Sequence, residues 1–282
     1  MKKLFLIPVF LLSFFLCGCQ ATDTEDFTSQ LRLNIKHINE NDAQKEINIS
    51  YPVFGGIEDK ETITIINTSI SNFVNSQYTE FQNALTAEEQ DKLSNTEELL
   101  NMHGESGDTN SNTDTKKETE AEKFLAENTD NGDENQAKDP ITLSMTFKIT
   151  YNQKNYLCIV QTYDKNLGKN KEFSGQRSFL FSLENATYLS LGELFVFNEE
   201  FTTEINSQIK AELDAGAYTT YDDNSGFTGI SKNSKFYIDT NNLYIYYDAL
   251  EISPDKDVIP TFSFRLSDIK KYANEDFKEI FH

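Results

Sequence analysis

The sequence predicts an α+β fold, antiparallel sheet packed by two main helices, interrupted by a disordered acidic insertion. Three observations carry this. Strand-like runs of alternating apolar residues recur along the chain, and two stretches instead space their apolar residues by three and four, as amphipathic helices do. Between Asn83 and Asp139 the composition changes to 16 Asp/Glu against 5 Lys, a net of −11 out of −21 for the whole chain. From Gly104 to Lys138 the large apolar residues are Phe124 and Leu125, too few to offset the entropy of ordering that segment.

At the start, Lys2 and Lys3 precede an apolar run from Leu4 to Leu16. That is shorter than the roughly 17–25 residues a spanning helix needs, and small-residue cleavage chemistry follows it. Leu16-Cys17-Gly18-Cys19 is similar to a bacterial lipobox, which makes residues 1–18 a lipoprotein signal peptide and Cys19 the thiol that receives diacylglycerol. A multi-chain anchor, at ~0.8 kcal/mol per buried methylene, would hold the chain on the extracytoplasmic face of a cell membrane. Of the three cysteines, Cys17 leaves with the leader and Cys19 takes the lipid, so Cys158 is expected as an unpaired thiol acting as a small hydrophobe in a strand.

Residues 19–30 read as a tether. Leu31 to Ile38 and Glu46 to Tyr51 alternate as strands, the second ended by Pro52 and Gly55-Gly56. Ile63, Ile66, Ile70, Val74 and Phe81 then share one helix face, closing an N-terminal part of the domain at 31–82. Residues 83–139 form the acidic insertion, with short helical turns near Leu93 and Leu99 from two capping-box patterns. The rest of the domain, 140–282, resumes with strands at Ile141–Tyr151, Asn155–Tyr163 and Phe173–Leu183, the first two joined by a tight turn at Asn152-Gln153-Lys154. A short helical turn at 189–195 precedes a second helix with Phe201, Ile205, Ile209 and Leu213 on one face. Residues 214–233 are expected as a mobile loop, rich in Gly, Asp and Ser. Phe236–Ile238 and Leu243–Tyr247 form a hairpin around Asp239-Thr240-Asn241-Asn242, and Thr261–Phe264 a last strand fenced off by Pro254 and Pro260. A C-terminal helix starts at Ser267 and carries Ile269, Tyr272, Phe277 and Phe281.

Catalytic and metal patterns are not found. The histidines are His37, His103 and His282, with no HExxH or Cys/His spacing among them, so no metal and no cofactor are expected. Glu251, beside Pro254 in an aromatic stretch, is assigned to hydrogen bonding the backbone amides of its corner. If Leu243, Ile245 and Tyr247 face the core, Tyr244 and Tyr246 form an outward aromatic pair suited to protein or glycan contact. Tyr244, Tyr246 and Glu251 are therefore the candidate binding residues. A charge of −21 excludes nucleic acid as a partner and favours basic ones.

Three segments in order resemble the extracytoplasmic domain family of the RsiV anti-sigma factor and the N-terminal region of PdaC-type peptidoglycan deacetylases. They are Tyr51-Pro-Val-Phe-Gly-Gly-Ile57 with Ile65-Ile-Asn67, then Phe179 to Phe195, then Phe236-Tyr-Ile-Asp239 and Leu243 to Tyr247 with Glu251-Ile-Ser-Pro254. The RsiV-like C-terminal part spans about 189–275. Two places depart from the family: 166–172 lacks its glycine-rich segment with a histidine, and Ala249-Leu250 and Asp255 alter the corner around Glu251. The resemblance implies a non-enzymatic, lipid-anchored ectodomain that binds a cell-wall component, peptidoglycan, or a wall-directed basic protein such as lysozyme. A peptidoglycan-modifying hydrolase or esterase, or an accessory subunit of one, is the alternative.

Overall fold

A computed structural model describes residues 26–42, 45–101, 141–167, 172–221 and 226–281, with 85–101 described as helical backbone only. The signal peptide, Cys19, His103, His282 and the insertion beyond Asn101 lie outside the described residues. Among the described residues no helix is long and apolar enough to cross a membrane. The fold is α+β, with a six-stranded sheet, a three-stranded sheet and helices against both.

Asp26 caps a single helical turn, α1 (Phe27–Gln30), by accepting from the Thr28 and Ser29 amides. The Phe27 amide donates to Asn155 Oδ1 at 2.7 Å and its ring packs on the larger sheet's core, so the end of the expected tether belongs to the fold. β1 (Arg32–Asn41) and β2 (Lys45–Gly55) pair antiparallel. β2 runs three residues past Pro52, where the sequence reading stopped it. The reason lies in where its backbone points. The even-numbered residues turn their polar groups away from β1: Ser50 C=O accepts from Gln161 Nε2 at 3.1 Å. Phe54 N–H donates to Asn67 Oδ1 at 2.8 Å, and Phe54 C=O accepts from Asn67 Nδ2 at 2.9 Å. Pro52 shares that orientation beyond Ile49, the last residue paired with β3, so its missing donor breaks no ladder. Gly56 (φ 99) then turns the chain so closely under Gln30 that a Cβ would sit 2.1 Å from its carbonyl oxygen.

Helix α2 runs without a break from Lys60 to Asn101. The short turns expected near Leu93 and Leu99 are thus part of one helix, and the insertion begins with helical backbone. Ile66, Ile70, Val74 and Phe81 of α2 are buried against Ile47, Ile49, Leu143, Met145, Leu157, Ile159, Phe179 and Phe181. Two ion pairs flank this packing: Lys165 reaches Glu80 at 2.8 Å, and Glu40 accepts from both Lys45 and Tyr78 at 2.7 Å.

β3 (Ile141–Gln153), β4 (Tyr156–Asn166), β5 (Glu172–Ser182) and the two-residue β6 (Thr187–Tyr188) complete the large sheet as an antiparallel series. The β2–β3 pair is parallel, a correction to the all-antiparallel expectation. The connection through α2 carries the chain back before β3 begins, which a parallel pair requires. The β3–β4 turn sits at Lys154-Asn155, both with positive φ (53° and 61°), one residue later than expected and of the type that suits a two-residue hairpin.

β4 is buried on both faces. Leu157 and Ile159 face α2, while Tyr156 and Cys158 face a second core built on the small sheet. That sheet is β7 (Phe236–Ile238), β8 (Asn242–Tyr246) and β9 (Thr261–Arg265), antiparallel in that order. Its Leu243, Ile245, Phe262 and Phe264 meet Leu191 and Leu194 of α3 (Leu191–Leu194) and Phe201, Ile205 and Ile209 of α4 (Glu199–Asp214). Asn198 caps α4 by accepting from the Phe201 amide at 2.8 Å. The C-terminal segment is not one helix. After α5 (Leu266–Ile269) and a 3₁₀ turn, Ala273 is extended (φ −63°, ψ 138°) and bridges Phe195, and the Asn274 amide donates to Leu194 C=O at 2.9 Å. Those backbone pairings compete with helix continuation and win.

Asn67 makes the β2 end dependent on one side chain. Asn67→Ala leaves a partly buried N–H and C=O without their partner, so urea unfolding should give about 2 kcal/mol less stability than the parent. A loss below about 0.5 kcal/mol would show that water replaces the amide freely.

Candidate functional site

The three residues chosen from the sequence separate in the fold. Tyr246 is 1% exposed, so the outward aromatic pair does not form. At Tyr246 that face of β8 meets Ser178 of β5. The Tyr246 hydroxyl accepts from Ser178 N–H (3.1 Å) and lies 3.0 Å from Ser178 Oγ, which in turn donates to Phe236 C=O. Tyr246 is a pin between the two sheets, and burial raises its pKa. Tyr244 is half-buried, stacked on Tyr237 with centroids 4.5 Å apart, and its hydroxyl donates to Asp239 Oδ2 at 2.7 Å. The other Asp239 oxygen accepts from the Asn241 and Asn242 amides at 2.8 Å each, so Tyr244 helps fasten the predicted hairpin turn.

Glu251 sits in the corner that follows β8. Its amide donates to Asp248 C=O at 3.1 Å and its Oε2 accepts from Asp248 N–H at 2.8 Å, closing a turn from both sides. This is the amide bonding the sequence suggested. Lys235 Nζ bridges Asp248 Oδ2 at 2.6 Å and Glu251 Oε2 at 2.8 Å. Burial works against the Lys235 ammonium, but its bonds to both carboxylates outweigh that and hold its pKa above the ordinary lysine value. The Glu251 side chain is 43% exposed, and with its partner so close it is an ion-paired anion facing water.

At the apex of this turn stands Leu250, which the sequence marks as a departure from the family but which was not among the candidate binding residues. It is 48% exposed and held at φ 67°, a left-handed conformation that a leucine seldom adopts. Three supports keep the corner there. Tyr221 Oη donates to Leu250 C=O at 2.7 Å. Tyr218 Oη donates to Thr261 C=O and accepts from Thr261 N–H, both at 3.0 Å. Gly226 comes so near Ile252 that a Cβ would fall 2.8 Å from its Cα, and Phe227 meets Tyr247 edge-on at 5.9 Å. The stretch expected as a mobile loop thus includes the corner's anchors; its aromatics Tyr218, Tyr221 and Phe227 were the available signal.

Lys256, farther round the corner, lies 3.5 Å from Glu172 at the start of β5. The two places where the sequence departs from the family it resembles, 166–172 and the corner, are therefore neighbours in space. The centre of the first, 168–171, lies outside the described residues.

Other reactive groups are placed structurally. Cys158 is fully buried, and burial pushes its thiol up to about 11. His37 lies exposed on the outer strand β1, its Nδ1 2.9 Å from Ser50 Oγ. Among the described residues no group of His, Cys, Asp and Glu could hold a metal ion.

No family model matches the chain, and no curated protein does. Solved structures do match. A DUF3298-family protein from Bacteroides fragilis aligns over 89% of this chain and 97% of its own, at 16% identity and a TM-score of 0.53. This chain shares that protein's fold. A second DUF3298-family protein, from Pseudomonas aeruginosa, aligns over 87% of this chain and 96% of its own, at 11% identity and a TM-score of 0.47. The shared fold is consistent with the extracytoplasmic domain resemblance read from the sequence.

Leu250→Gly removes the left-handed strain of an exposed residue that lies outside both hydrophobic cores. Its unfolding midpoint should rise, by about 0.5–1 kcal/mol of stability in urea. Destabilisation instead would mean that the leucine side chain supports the fold.

Proposed function

We propose that this chain is a lipid-anchored extracytoplasmic domain, held at Cys19, that captures a basic wall-directed protein such as a lysozyme without transforming it. The observation that carries the reading is Leu250: an apolar side chain kept exposed at a strained backbone angle, on a turn whose ring of charge is two carboxylates to one lysine. Strain that survives where glycine would relieve it points to a use for the side chain. A leucine tip within an acidic rim suits a partner that offers an apolar socket among cationic groups, with the formal charge of −21 supplying long-range attraction. The family resemblance supports the same class of partner, and the lipobox-like Cys19 supports the location.

Retention of a cationic lysozyme on the immobilised ectodomain tests this at about 50 and 500 mM salt. Three forms are compared: the parent, Leu250→Gly, and a chain with residues 102–139 replaced by a Gly/Ser linker of equal length. The parent should retain lysozyme at low salt and lose at least tenfold at high salt, while Leu250→Gly binds weakly at both. Equal recovery from all three forms at both salts would overturn the proposal.

A further inference from the structure

Three depressions lie end to end along the exposed stripe of α4. One, of about 640 Å³, is lined by Glu200, Thr203, Glu204, Ser207 and Tyr272. The next, of about 320 Å³, shares Thr203 and Ser207 with it and adds Asn206, Lys210, Phe227 and Thr228. The last and most enclosed, of about 100 Å³, shares Lys210 and Phe227 and ends under Tyr221 and Ile252. Through these shared residues they form one shallow groove along α4, walled by Tyr272 at the widest depression and by the segment 226–230 at the other two. From Glu200 to Lys210 it follows ten helical residues, about 15 Å at 1.5 Å per residue.

Thr203, Asn206, Ser207 and Lys210 line the groove as a polar row along α4. Thr202, one residue away, spends its hydroxyl on the helix by donating to Asn198 C=O at 3.1 Å. The Thr203, Ser207 and Thr228 hydroxyls have no such partner among the described residues. Asn206 uses its Oδ1 to accept from the Ile230 amide at 2.9 Å, which fixes the carboxamide plane and leaves its Nδ2 toward Gly229 and the groove. At one end Tyr272 Oη donates to Glu204 Oε2 at 2.6 Å, which holds that carboxylate in place, and Glu200 Oε1 lies 3.1 Å from Tyr272 Oη. Lys271 pairs with Glu204 at 3.0 Å and reduces the local charge. At the other end Phe227 and Tyr221 supply aromatic surface.

Hydroxyls, a fixed carboxamide and an oriented carboxylate in a row, next to aromatic rings, are complementary to a ligand with many alternating donors and acceptors and apolar C–H faces. A peptide strand would need exposed backbone groups to pair with, and the outward surface of a helix has none to give. We propose that the groove along α4 binds a glycan strand; its narrow end abuts the supports of the corner, Tyr221, Phe227 and Ile252, but Leu250 itself is not part of the lining. The choice of an amino-sugar polymer rests on the extracytoplasmic reading above, but the groove does not.

The probe is an uncharged N-acetylglucosamine tetramer, titrated into the whole ectodomain by calorimetry with amide chemical shifts followed in parallel. Saturable binding should shift signals of α4 and 226–230, stay constant between about 50 and 500 mM salt, and weaken at least tenfold in Ser207→Trp, whose bulk fills the groove at an exposed helix position. Leu250→Gly should leave it unchanged, which keeps this result separate from lysozyme capture. Absence of saturable binding, or binding that Ser207→Trp does not weaken, or shifts confined to the corner, would each overturn the proposal.

Discussion

The structure depends on β4 being buried on both faces. Six consecutive residues, Tyr156 to Gln161, are buried, and the first four alternate between two cores. Leu157 and Ile159 hold α2, while Tyr156 and Cys158 hold the lobe of the small sheet and α4. β5 repeats the pattern beside it, with Phe179 and Phe181 on one side and Leu180 on the other. Truncating one such buried aliphatic residue costs roughly 2–5 kcal/mol, a large part of what a domain has to lose. The chain has no disulfide among the described residues to share that load.

This central wall also fixes where function can lie. Tyr246 and Ser178 pin the small sheet to β5, and the chain leaves β8 directly into the corner, so the pin sets the position of Leu250. The corner is then hung from the loop after α4 by Tyr218 and Tyr221, not from the sheet alone. Interior aromatics serve as anchors, and the exposed face of α4 is left free of packing duty because Phe201, Ile205 and Ile209 perform it on the opposite side.

Much of this was legible in local pattern. Apolar spacing gave α2 and α4, alternation gave most of the strands, and Asp239 to Asn242 gave the hairpin turn. The motif around Pro52 and Asn67 was visible as a resemblance, but its cause, an amide side chain bonding the Phe54 backbone, is a contact between residues 13 apart in sequence that no periodicity reports. Other features failed for related reasons. The parallel β2–β3 pair depends on a crossover, Ala273 leaves the helix for a bridge to Phe195, and one face of β8 buries Tyr246 while leaving Tyr244 half-buried, which alternation could not tell apart. Leu250 was visible as a departure from the family but not as a binding candidate, because a positive φ in a leucine is set by tertiary contacts and leaves no mark in composition.

Amide hydrogen exchange at rising urea tests the shared wall most directly. If β4 holds both cores, amides of 156–161 exchange slowest, and those of Ile66–Val74, Ile205–Ile209 and Phe262–Phe264 merge with them into one global opening. Exchange of the small sheet and α4 through a separate opening, with its own lower free energy while β4 and α2 stay protected, would contradict the account.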